Sequence, residues 1–267
     1  MIDRKLANVE GGTELPSPLA LAGSFCIVMV VTHLATAGYI AWNDLSGRWS
    51  QYTLCKKSDR KRHPKLYVDG ALNFLKDVTL IMLPGLTWIC QVRGDDIVSA
   101  QDDNVLIGVL KICAGYTIGR IWAAFAHRIL HTALMYKHFH KRHHMRVDQL
   151  VATGAWLDHP VEYAVMELPG LLCPLVLFPT RLAFHYMFFF FHAFSAATDH
   201  SGFTFTKENG AGWFFRNFFD SEYHYYHHAT STVNYAEMEW IDYLFGTHHT
   251  QVLPEFCNVS TGKEHPK

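Results

Sequence analysis

Long apolar runs alternate with short charged stretches along this chain, and several runs have the length of membrane-crossing helices. Pro18 to Trp42 is uncharged throughout and exceeds the roughly 20 residues a bilayer crossing needs. Its Ala35-Thr36-Ala37 has the small residues of a leader cleavage site. The preceding segment, however, sets Asp3, Glu10 and Glu14 against Arg4 and Lys5, which is unlike the basic start of a secretory signal. The run therefore reads as a retained anchor. Ala71 to Cys90 is a second run, interrupted by Lys76, Asp77 and Pro84, and is the one best suited to lie at the interface. Val105 to Ala126 is a third and leads directly into His127. Val161 to Pro179 and Arg181 to Thr198 follow, divided at Pro179. The pattern predicts four or five membrane helices, with Phe188 to Phe191 facing lipid, a lipid-like substrate or the core.

The charges between these runs predict an orientation. Lys56 to Lys65 and Lys137 to Arg146 are strongly basic, and Arg93 to Asn104 is acidic. Basic loops stay on the cytoplasmic side, so the two runs flanking the acidic loop carry the chain out and back. With five crossings the N-terminus is lumenal. The sequon at Asn258 then falls in the cytoplasm and goes unused. No repeat or linker divides the chain. The organisation expected is membrane segments and a basic loop over 1–104, a catalytic region over 105–250 and a polar tail over 251–267.

Composition agrees with the membrane class: 49% of residues are hydrophobic, 18% are charged, and the net charge of -1 offers nothing to a nucleic acid. The six cysteines (Cys26, Cys55, Cys90, Cys113, Cys173 and Cys257) show no CxxC and no regular spacing. They suggest neither a disulfide framework nor a thiolate metal site.

Histidine is the outlier, at 18 residues. "HRILH" places His127 and His131 four apart. "HKRHH" places His140, His143 and His144 at i, i+3 and i+4, and "HYYHH" repeats that spacing with His224, His227 and His228. "TDHSG" adds His200. Residues three and four apart share a helix face, so each box can aim two or three imidazoles at one point. Neutral imidazole binds iron, zinc, copper or nickel. Nine donors exceed the needs of one ion, and two metals are the natural count.

With these motifs the chain resembles the membrane-bound fatty acid hydroxylase/sterol desaturase superfamily. The likeness runs from about Val105 to Thr247 through "HRILH", "YKHFHKRHH", "DHP", "DHSGF", "HYYHH", "NYA" and "DYLFGT". The spacings from His127 to His140 and from the last box to Asn234 are most similar to the methylsterol monooxygenase branch. The resemblance implies an integral membrane oxygenase of the endoplasmic reticulum, its boxes facing the cytoplasm, with two iron ions on the nine histidines above. It also implies O2 as oxidant and electrons from NAD(P)H through a separate reductase and haem electron carrier. His159 matches a His-Pro position of the family and is a possible tenth ligand or supporting group. The chain departs from many relatives at Tyr223 and Tyr225, which replace a His and an Asp, and at Ile241-Asp242, where "WD" is usual.

Asp199, Asp242, Asp158 and Glu222 are further candidates for holding imidazole tautomers, and Tyr225 and Tyr226 are expected to pack. His192, two helical turns before His200, is placed to reach the site; His33 and His185 are off-pattern. His63, His138, His248, His249 and His265 are expected in solvent. The fold expected is all-α, with membrane helices beneath a cytoplasmic helical cap. The function expected is oxidation of a sterol or related lipid by hydroxylation or successive oxidation. Desaturation is the enzymatic rival, and a non-enzymatic membrane metal-binding protein is the alternative of another class.

Overall fold

The computed structural model describes residues 15–54, 63–100, 104–144, 150–203 and 221–249. Cys55, Cys257, Asn258, His265, most of the first basic loop and the leader lie outside them. Among the described residues the chain is all-helical, with a single isolated bridge between Thr53 and Phe203. We number the helices α1 (Pro18–Leu45), α2 (Pro64–Ser99), α3 (Val105–Leu130), α4 (Pro160–Leu177), α5 (Leu182–Asp199), α6 (Ser221–Thr230) and α7 (Glu239–Phe245).

The helix starts follow from local chemistry. Ser17 accepts from the Ala20 amide at 3.2 Å, and Pro18 occupies the first turn, where no backbone donor is needed. Asn104 caps α3 through the Ile107 amide. Pro84 and Pro169 fall inside long helices, and each is preceded by one π-helical turn, Val78–Met82 and Tyr163–Glu167. A proline ring collides with the carbonyl four residues back, and the wider turn gives it room. Ala71 to Cys90 is thus the middle of one continuous 36-residue helix.

Four helices are long and apolar enough to cross a membrane, namely α1 to α4. The protein is an integral membrane protein. The fifth expected crossing, Arg181 to Thr198, is a helix but is not among the four. It carries His185, His192 and Asp199 and buries half its length against the other helices. The exposed apolar side chains Ile27, Val31, Leu80, Trp88, Leu106 and Phe125 face outward from α1, α2 and α3.

Aromatic packing ties α1 to α5, with Phe25 stacked on Phe189 at 5.0 Å. The contact between α3 and α4 is closer. A Cβ on Gly119 would lie 2.8 Å from the Gly170 carbonyl oxygen, and one on Gly115 would lie 2.7 Å from Pro174 Cα. Small residues let these backbones touch, as expected for membrane helices, which lack a hydrophobic drive to associate. Cys26, Cys90, Cys113 and Cys173 are free thiols. At one end of the bundle α6, α7 and the segments around His140 and Trp156 form a cap.

Candidate metal centre

The structure brings all nine box histidines together, in two groups. His127, His131, His140, His144 and His227 form one, and His143, His200, His224 and His228 form the other; within each, one nitrogen per ring lies within 4.8 Å of the rest. The partition was not visible in the spacing. In both HxxHH boxes the i and i+4 residues stay together while the i+3 residue crosses to the other group. Positions i+3 and i+4 are about 100° apart around a helix, so adjacent histidines point to different centres. His144 and His228, from opposite groups, stack at 4.4 Å and form the shared wall.

The boxes also differ in backbone. His224, His227 and His228 lie on α6, whereas His127 is in the last turn of α3 and His131 is its C-cap. The second box is not a regular helix. Tyr136–His140 is a π turn closed by the Lys141 amide on the Tyr136 carbonyl, and a turn follows. Such turns recur at functional sites because they re-aim side chains.

The outer nitrogens of five of the nine rings have partners, while among the described residues Nδ1 of His143 and of His228 has none. His127 Nδ1 donates to the Tyr235 carbonyl and His227 Nδ1 to the Val233 carbonyl, each at 2.7 Å. His140 Nδ1 meets Glu162 Oε1 at 2.8 Å, His200 Nδ1 meets the Ala196 carbonyl at 3.2 Å, and His144 Nδ1 lies 3.3 Å from Ser231 Oγ. A carbonyl can only accept, so the ring nitrogen facing it carries the proton and Nε2 is left with a bare lone pair.

Those lone pairs converge. Nε2 of His140 lies 3.0 Å from Nε2 of both His127 and His131, and His227 Nε2 is 3.1 Å from His127 and 3.2 Å from His144. In the second group His224 Nε2 is 2.8 Å from His200 and 2.9 Å from His228, and His200 is 3.3 Å from His143. Facing lone pairs repel unless a cation lies between them. Two imidazoles each about 2.1 Å from one ion at right angles would hold their nitrogens about 3.0 Å apart. The donor set therefore fits two ions, with neutral nitrogen ligands and no thiolate. Burial and mutual repulsion hold His131, His140, His143, His144, His224, His227 and His228 below the usual imidazole range, and His200 is lowered to about 4. All are neutral, as ligands must be.

The supporting candidates divide. Asp242 touches no box histidine directly. Its carboxylate accepts from the Tyr235 and Ala236 amides, from Thr247 Oγ1 and from Tyr223 OH. Asn234, at φ 56°, bonds the His249 amide and carbonyl; asparagine tolerates this left-handed backbone. Together they shape the loop whose carbonyls at Val233 and Tyr235 orient His227 and His127. Asp199 accepts from Ser195 Oγ at 2.7 Å, while the neighbouring His200 turns to the Ala196 carbonyl. His159 is outside both groups. Its Nδ1 accepts from the Val161 amide and caps α4, with its ring against Phe139. Asp158 accepts from Asn73, and burial beside Asp77 raises its carboxyl well above the usual range. Glu222 is half-buried. Tyr223, Tyr225 and Tyr226 are buried. His248, expected in solvent, packs on Tyr243 at 3.7 Å and bonds Glu239, because α7 folds its aromatic face back over it. His33 and His185 are buried, against Ala193 and Trp156 in one case and the Thr180 amide in the other.

Two features escaped sequence reasoning. Glu162 is the partner of His140, and its one signal was its place three residues after His159 in "DHPVE". The other is a buried ionic group beneath the histidines. Arg120, 2% exposed, pairs with Glu237, lies 3.7 Å from Glu167, and reaches over the Tyr116 ring at 5.4 Å. Arg120, Glu167 and Glu237, with His192, line a cavity of about 40 Å³ that is also bounded by His127, His143, His200 and His224.

A model of the family described as fatty acid hydroxylase matches residues 112–247, half of the chain and all nine histidines. The chain belongs to the fatty acid hydroxylase family. It is 26% identical to a methylsterol monooxygenase of Aspergillus fumigatus, over 52% of this chain and 48% of that protein. It is 27% identical to a fatty acid hydroxylase of Mycosarcoma maydis, over 46% and 30%. It is 30% identical to a very-long-chain aldehyde decarbonylase of Oryza sativa, over 46% of each. The chain thus spans about half or less of the length of these curated relatives. No solved structure matches it.

Proposed function

We propose that this protein is an O2-dependent membrane oxidoreductase, with iron in both histidine groups, that hydroxylates or successively oxidises a C–H bond of a sterol or related lipid. The observation that carries the reading is the pair of converging lone-pair clusters at the end of a bundle of apolar helices. The family match supports the reaction class. The methylsterol relative and the box spacings support the sterol.

Attack on an unactivated alkyl C–H bond exceeds what any side chain can do, and two redox-active ions supply that power when bound. The residues of the chain do the rest. Nine histidines are the ligands in this reading, and Glu162 with the Val233, Tyr235 and Ala196 carbonyls keeps the tautomers of His140, His227, His127 and His200. Outer contacts of this kind raise ligand basicity and fix ring direction. Ala123, Ala155 and Trp156 make part of the cavity wall apolar and keep water out. The Arg120 guanidinium, between Glu167 and Glu237, gives the cavity a charged floor. Electrons arrive from NAD(P)H through a separate reductase and haem carrier. In this reading the protein lies in the endoplasmic reticulum membrane with its histidines facing the cytoplasm, and the catalytic region is 105–250, between membrane segments over 1–104 and a tail over 251–267.

The test is lipid mass spectrometry of cells expressing the chain, paired with NADH- or NADPH-driven O2 consumption by purified protein with reductase. An added oxygen, absent with His227→Ala, is the expected result. Loss of two hydrogens would instead identify a desaturase. A protein that holds two metals but stays inert with every reductant and lipid extract would overturn the enzymatic reading.

A further inference from the structure

The histidines are only one wall of the small cavity beneath them. Arg120 stands about two helical turns before His127 on α3, and His192 about two turns before His200 on α5. Glu167 reaches the same place from α4. The close approach of α3 to α4 sets the arginine. A Cβ on Gly170 would lie 3.4 Å from Arg120 Nη2, so the guanidinium lodges against bare backbone, with the Tyr116 ring centroid 5.4 Å from its central carbon. It is held in place on two sides.

The hydrogen-bonding capacity of this group is not used up. Arg120 is 2% exposed and His192 6%, yet among the described residues neither Arg120 Nε nor His192 Nε2 has a hydrogen-bond partner. Glu167 Oε2 lies 3.7 Å from Arg120 Nη2 and 3.8 Å from His192 Nε2, and both gaps exceed a hydrogen bond. Buried polar groups are nearly always paired, so three of them just out of range of one another call for an oxygen among them. All three residues line the cavity, and its 40 Å³ amounts to room for about three water-sized atoms.

The charges select the kind of oxygen. Arginine stays protonated and can only donate, so the group it meets must accept. Its charge is already matched by Glu167 and Glu237, and an anionic ligand would gain nothing from it. A ketone or an ether accepts but gives nothing back to Glu167. A hydroxyl does both. Ala123, Ala155 and Trp156 make another part of the wall apolar, which suits the carbon that bears the hydroxyl.

We propose that Arg120, Glu167 and His192 form a subsite for a hydroxyl group of the lipid, and so select lipid alcohols over fatty acids and plain hydrocarbon chains. The proposal rests on the lipid-oxygenase reading and narrows its substrate class. The same cavity is bounded by His127, His143, His200 and His224, so the carbon attacked lies close to the carbon that bears the hydroxyl.

The test is equilibrium binding of tritiated cholesterol and tritiated 1-octadecanol to the full-length protein in detergent, read by scintillation proximity, with 5-cholestene, octadecane and octadecanoate as competitors. At least one alcohol should bind saturably and exceed its deoxy counterpart by about tenfold or more; which one does so tells a sterol site from a long-chain alcohol site. Octadecanoate should compete no better than octadecane. His192→Phe keeps the ring and removes Nε2, and Arg120→Lys keeps the charge and removes Nε. Each should weaken binding of the alcohol about tenfold and leave that of the deoxy lipid unchanged, whereas a merely structural role would weaken both alike. Wild-type affinities for alcohol and deoxy lipid within twofold of each other would mean that the cavity holds water only, and would overturn the proposal. So would no saturable binding of either alcohol, a preference for octadecanoate, or full discrimination in His192→Phe. Because the readout needs no turnover, selective alcohol binding by a protein that oxidises no lipid would refute the function above and leave the subsite standing. Lipid oxidation without any such selectivity would do the reverse.

Discussion

Replacing Glu162 tests the logic of the centre most directly. Its carboxylate is 1% exposed and receives the Nδ1 of a fully buried His140. The Nε2 of the same ring faces both His127 and His131. Outer partners of this kind are worth 10–100-fold in metal affinity, or about 1.4 to 3 kcal/mol. Glu162→Gln keeps an acceptor for the Nδ1 proton, and because burial disfavours the charged form of the carboxyl the substitution removes little charge. The Gln variant should therefore fall at the low end of that range, a loss of about tenfold or less. Glu162→Ala leaves a buried N–H without a partner, at a cost of about 1–3 kcal/mol, and should approach 100-fold. The effect should be confined to the five-histidine group, because the bonds of Glu162 lead only there. The assay is competition with a chelating dye on detergent-purified protein, together with metal counting by mass spectrometry. Wild-type affinity at both sites in both variants, within twofold, would refute the reasoning.

The remaining predictions follow from the same geometry. His227→Ala and His228→Ala, adjacent in sequence, should each weaken a different metal site, the five-histidine group in the first and the four-histidine group in the second; elemental analysis showing that both empty the same site would contradict the partition. Arg120→Met should destabilise the protein by about 1–3 kcal/mol, since it leaves the half-buried Glu167 and the more exposed Glu237 without their buried cation, and Arg120→Met with Glu237→Gln should recover part of the loss in thermal melts; no recovery would argue against the pairing. Gly119→Ala pushes a methyl against the Gly170 backbone and should cost about 1–3 kcal/mol as an overpacked contact, whereas Gly38→Ala, which meets nothing within 4 Å, should be neutral in the same melts. His200 is neutral in the fold with its pKa lowered to about 4, against an ordinary 6.5. The unfolded chain takes up that proton first, so the stability from this ring is complete above about pH 6.5 and is lost as pH falls toward 4. The melting temperature of metal-free protein should fall across that window, and a flat profile would count against it.

The histidine spacing and the lengths of the apolar runs were enough to place a nine-donor cluster at the end of a helical membrane bundle. Both are local properties: a period of 3.6 and a run of about 20 apolar residues carry their meaning within one segment. What the sequence could not contain is the division of labour. His143 and His144 are neighbours in the chain and lie in different histidine groups, as do His227 and His228, because the choice depends on where a second helix stands. Glu162 is set against His140 only by folding, and His159, the more conspicuous residue of the same motif, caps a helix outside both groups. Arg181 to Thr198, the fifth candidate, forms a helix that is not among the four long and apolar enough to cross, and it buries His185 and His192 inside the bundle. Periodicity specifies which face a residue is on, and only the angles between helices decide what that face meets.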